Sequence, residues 1–84
     1  MYKNKAVDGR NNICGKNVAR IRKSLNPKVS QRMLADQLQI QGLDVDKNAI
    51  QRIENGERFV TDIELVALAN ILNVSLELLT NAKH

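Results

Sequence analysis

Punctuation is what most constrains the fold of this chain. Aliphatic residues recur at helical spacing in short stretches, and each stretch is bracketed by residues that start or stop a helix. Ile13, Val18, Ile21 and Leu25 make the first. Asn26-Pro27 ends it, because proline disfavours the helical region in the residue before it. Ser30 is an N-cap for a second stretch, with Met33, Leu34, Ala35 and Leu38 on its apolar face, and Gly42 breaks it. Asp46 caps a third, Lys47-Asn48-Ala49-Ile50-Gln51-Arg52-Ile53, which Asn55-Gly56 stops, since both residues tolerate positive φ. Thr61 and Glu64 have capping-box spacing ahead of Leu65, Leu68, Ala69 and Leu72, and Asn73 closes that run. Ser75 caps a short fifth stretch holding Leu76, Leu78 and Leu79. No segment alternates as a strand does. The pattern predicts an all-α, compact five-helix bundle with short connections.

With 84 residues, one domain is expected. Aromatics are 2% of the chain, a single Tyr2 and a single Phe59, so the core must be aliphatic. Residues 1–12 are polar, basic and without period, and read as a flexible arm; residues 13–80 read as the folded domain and 81–84 as a tail. Cys14 has no partner for an internal disulfide and suits a reducing compartment, where it serves as a small hydrophobe near the start of the first helix. No apolar run approaches the roughly 20 residues that span a bilayer, and no signal-peptide stretch is present. The expectation is a cytoplasmic protein with no membrane partner.

Charge is unevenly placed. Residues 1–33 carry nine basic groups against one acid, Asp8, whereas residues 34–84 carry four against eight. A basic half on a small domain suggests a polyanion partner, although a basic tail produces the same count. Catalysis has little to work with. The one histidine, His84, is the last residue, and no Cys/His cluster suits a metal. Gly9 to Gly15-Lys16 is one residue too long for a phosphate loop, and Asn17 stands where that motif needs Ser or Thr. Asn73-Val74-Ser75 fits a glycosylation sequon but lies at a helix junction. The chain is read as no enzyme, with neither cofactor nor metal.

Three stretches resemble the lambda-repressor-like helix-turn-helix family, the phage-repressor or xenobiotic-response-element type. Val29-Ser30-Gln31-Arg32-Met33-Leu34-Ala35 is similar to the family's Leu-Ser-Gln-x-x-Leu-Ala. Ile50-Gln51-Arg52-Ile53-Glu54-Asn55-Gly56 is similar to Ile-Ser-x-Ile-Glu-Asn-Gly, and Leu72-Asn73-Val74-Ser75-Leu76 to Leu-Gly-Val-Ser-Leu. They occur in the family's order over residues 13–80. One departure concerns the second connection: Leu38 to Ile50 spans twelve positions where the family usually has seven, so residues 39–45 hold about five extra. Either the second helix runs longer or the turn becomes a loop, which Leu43 and Val45 would anchor. A smaller insertion of about two residues falls near 26–28.

The resemblance implies a sequence-specific duplex-DNA-binding transcriptional regulator, taken as a repressor, whose third helix enters the major groove. Placed on the family's motif, Lys47, Asn48 and Arg52 match base-reading positions, Arg for guanine and Asn for adenine. Outside that motif, the same residues would read as a solvated helix face. Gln31, in the first turn of its helix, is assigned to DNA as well, as a base contact or, through that helix terminus, a phosphate contact. Lys28, Arg32, Gln51, Asn55 and Arg58 are assigned to phosphates. The family also joins a helix-one arginine to the glutamate after helix three: Arg22, with Arg20 as the alternative, would pair with Glu54. A homodimer, at least on DNA, is expected through residues 74–80, where Leu76, Leu78 and Leu79 exceed what one short helix turns inward. The contrary expectation is that only Leu78 is exposed. Two other readings of the same fold are the antitoxin of a toxin–antitoxin pair, with a toxin partner, and an interaction module that does not bind DNA.

Overall fold

The computed structural model describes residues 9–81. Within them lie α1 (Gly15–Ser24), α2 (Gln31–Ile40), α3 (Lys47–Glu54), α4 (Asp62–Leu72) and α5 (Leu76–Thr80), with no strand among the described residues. The all-α architecture and the helix order are those expected from the sequence. The helix starts follow from local chemistry. Ser30, Asp46, Thr61 and Ser75 each accept a hydrogen bond from the backbone N–H three residues on, and Glu64 completes the capping box at Thr61.

Three helices stop in the same way. At Gly42 (φ 87°), Gly56 (φ 82°) and Asn73 (φ 58°) the chain turns left-handed. The N–H of that residue bonds back three positions and the next N–H bonds back five, as in Leu43 N–H to Leu38 O at 3.1 Å and Glu57 N–H to Arg52 O at 2.9 Å. The α2–α3 insertion therefore does not extend α2, which ends two residues past Leu38. It forms a loop over residues 41–46, and Val45, fully buried, anchors that loop while Leu43 packs against the core.

The core is aliphatic. Val18, Ile21, Leu34, Leu38, Val45, Ile50, Ile53, Leu68, Leu72 and Leu79 are all buried, joined by Cys14 and four alanines. Helix α3 packs between α1 and α2, and α4 lies against α2, α1 and α5. Small residues permit the closest approaches: Ala35 and Ala49 are buried on α2 and α3, whose pairing is the most extensive. Where Gly15 begins α1, a Cβ would collide with the Ile53 carbonyl oxygen. One polar residue closes the bundle. Asn17, buried on α1, donates to the Leu79 and Asn81 carbonyls at 2.7 and 2.9 Å and so holds the end of α5.

Some positions differ from the sequence expectation. Ile13 is half-exposed and precedes α1; the inward place belongs to Cys14. Met33 also faces solvent, because α2 needs only Leu34, Ala35 and Leu38 to cover the core. On α5, Leu79 is inside while Leu76 and Leu78 are both exposed, so Leu78 is not alone. The segment read as a flexible arm lies outside the described residues over 1–8, as does most of the tail, 82–84. Residues 10–12 require a correction: they are bound to the end of α3 and belong to the folded unit.

Candidate nucleic-acid interface

Helix α3 is amphipathic in the strict sense that its two faces have different jobs. Ala49, Ile50 and Ile53 are buried, while Lys47, Asn48, Gln51, Arg52 and Asn55 are exposed. At about 100° per residue these five fall within an arc of roughly 140°, on the side opposite the buried three. They form one continuous polar stripe of two cations and three amides. Amides and guanidinium groups offer the paired donors and acceptors that base edges match.

The N-terminal end of the stripe is set by Asp46, whose Oδ1 accepts from Ala49 N–H at 2.8 Å. Two carboxylates, Asp44 and Asp46, lie within the three positions before the cation Lys47. The C-terminal end is set by a buried ion pair. Arg22 Nε donates to Glu54 Oε2 at 2.8 Å and Arg22 Nη2 donates to Oε1 at 2.9 Å, while Nη1 donates to the Val29 carbonyl. This is the bidentate fork that suits arginine to a carboxylate. Arg22, not Arg20, is the partner of Glu54; Arg20 is exposed and donates to Asn17 Oδ1.

The other expected contacts divide into two groups. Lys28, before α2, and Arg32, in its first turn, are exposed cations. Gln31 is different: it is half-buried and its amide nitrogen donates to Glu54 Oε1 at 2.9 Å, so its donor is turned inward. Arg58 is also committed within the fold, gripping Glu64 with both terminal nitrogens at 2.9 and 3.0 Å. That hydrogen-bonded contact holds Glu64 below the usual carboxylate range and raises Arg58, with Asp46 and Asp44 adding to the effect on Arg58. What the sequence reading missed is Arg10, Asn11 and Asn12, which bind the end of α3. Their only signal was three donor-rich side chains in a row before the first helix.

A helix-turn-helix family model matches residues 18–79, which take in all of α2, α3 and α4 and most of α1 and α5. The chain belongs to the lambda-repressor-like helix-turn-helix family. That family is one of DNA-binding transcription regulators. Comparison with curated proteins and with solved structures found no match. Among the described residues, no helix is long and apolar enough to cross a membrane.

Proposed function

We propose that this chain is a sequence-specific repressor, acting in the cytoplasm, that reads the major groove of duplex DNA with α3. The carrying observation is the exposed stripe of Lys47, Asn48, Gln51, Arg52 and Asn55 on a helix whose opposite face is locked into the core. In this reading Lys47, Asn48 and Arg52 contact bases. Gln51, Asn55, Lys28 and Arg32 contact phosphates. Gln31 and Arg58 act from behind, by fixing Glu54 and Glu64. One such helix reads only a few base pairs, so two copies bind together with half-sites about one helical turn apart, roughly 34–36 Å. Exposed Leu76 and Leu78 favour α5 as the contact between the copies.

Selection of bound duplexes from a random pool, followed by titration with salt, tests the reading. Affinity should fall steeply with salt as counterions are released. Arg52→Ala should weaken the selected site by roughly 1–3 kcal/mol and relax one base position, whereas Lys28→Ala should weaken all sequences alike. A chain that binds no duplex at low salt, or an Arg52→Ala variant with unchanged affinity and preference, sinks the assignment. A Leu78→Glu variant that folds and still pairs on DNA removes α5 as the contact.

A further inference from the structure

The end of α3 is held by three consecutive residues that the functional reading above leaves unused. Asn12 Nδ2 donates to the carbonyls of Ile53 and Arg58 at 3.0 and 2.7 Å, and its Oδ1 accepts from Gly15 N–H at 2.8 Å. One side chain thereby joins the first residue of α1, the last turn of α3 and the segment leading to α4. Asn11 donates from its backbone to Gly56 O and from Nδ2 to Glu57 O, both at 2.8 Å. Arg10 donates to the Glu54 carbonyl, and its side chain lies over Gly56, where a Cβ would meet it at 2.7 Å. The carbonyls of residues 53, 54, 56, 57 and 58 thus all receive donors from residues 10–12. A helix C-terminus leaves its last carbonyls to be served by side chains, water or the turn that follows. Here the Ile53 and Glu54 carbonyls, in the last turn of α3, receive side chains from residues 10 and 12.

The donors of residues 10–12 converge on one end of one helix. The segment grips the turn of α3 that carries Arg52 and Asn55, and a recognition surface must hold its groups to within about 0.5 Å to discriminate. We propose that residues 10–12 are a positioning clasp for the recognition helix: they set the pose of α3, and through it the discrimination between DNA sequences, without touching DNA themselves. The proposal rests on the DNA-reading role of α3.

The test uses the full chain, a duplex selected by the wild type, and a random duplex of equal length at the same salt. Each variant is compared at its measured folded fraction. Asn12→Ala should lower affinity for the selected duplex about tenfold, the scale of one base contact, and leave the random duplex within about twofold. Asn11→Ala should act in the same direction, more weakly. Its side chain gives up one exposed hydrogen bond, to the Glu57 carbonyl, so it keeps the fold and decides the matter if Asn12→Ala does not fold. Folded variants that retain the wild-type ratio of selected to random affinity, or lose both affinities together, overturn the clasp alone. A wild type that selects no duplex overturns the DNA reading, and the clasp with it.

Discussion

The two ends of α3 are built on opposite plans. At the N-terminus a single carboxylate, Asp46, caps the helix at the end of a six-residue loop, over residues 41–46, and the first two helical side chains are exposed. At the C-terminus the Glu54 carboxylate receives Arg22 and Gln31, residues 10–12 cover the carbonyls, and Gly15 packs against the backbone. The N-terminal end is held by one cap, and the C-terminal end by a network of polar contacts. The contrast explains why the same eight-residue helix shows both a bare polar stripe and a heavily bonded terminus. Polar contacts fix direction in a way that aliphatic packing, which tolerates sliding, does not.

Removing the anchor should break the contrast most severely. Glu54→Ala leaves the Arg22 guanidinium buried without its carboxylate and should cost about 3 kcal/mol, read by urea denaturation. A loss below about 1 kcal/mol would mean that the pair is not what secures this end. Next comes Gly15→Ala, whose Cβ would strike the Ile53 carbonyl oxygen, part of the backbone. Forcing α1 and α3 apart should cost roughly 1–3 kcal/mol. A neutral result would show that the two helices can separate freely.

The lightly held end should respond less, and in a revealing way. Asp46→Ala removes an N-cap worth about 1 kcal/mol, so thermal stability should fall. The same change deletes a negative charge beside Lys47, so affinity for random duplex DNA should hold or rise. A parallel fall in both quantities would contradict the separation between holding and presenting.

The smallest effect belongs to Arg58 and Glu64. The hydrogen bond from Arg58 lowers the Glu64 carboxyl from its ordinary 4.5. The folded state therefore favours the charged form. The resulting stability is present above the ordinary carboxylate value and is lost as pH falls through the lowered one. The pair is partly solvated, so less than about 1 kcal/mol is at stake. Glu64→Gln, which preserves the capping box, should flatten the acid limb of a stability–pH profile; an unaltered limb would assign it to other carboxylates.

Much of the fold was legible because its signals are local. Ser30, Asp46, Thr61 with Glu64, and Ser75 each act within three residues, and Gly42, Gly56 and Asn73 declare themselves by tolerating a left-handed turn. The stripe on α3 follows from helical period alone. What escaped depends on partners far along the chain. Asn12 meets residues 41 and 46 positions away, and nothing near it in sequence announces that contact. The inward turn of the Gln31 donor depends on Glu54, 23 positions on. The exchange of Ile13 for Cys14 is a matter of register: α1 begins at Gly15 because only glycine lets the helix start against α3.

Cys14 sits at that junction. It is the only cysteine in the sequence. Burial pushes its thiol up to about 11, so at neutral pH almost none of it is the reactive thiolate. The closed molecule is for that reason a poor target for alkylating reagents, and labelling must wait for this corner to open. The rate at which a thiol reagent modifies the protein becomes a clock for local opening between α1 and the end of α3. The chain carries an internal gauge of how often α3 comes loose, and if α3 reads DNA as proposed, a bound duplex that steadies it should slow the clock.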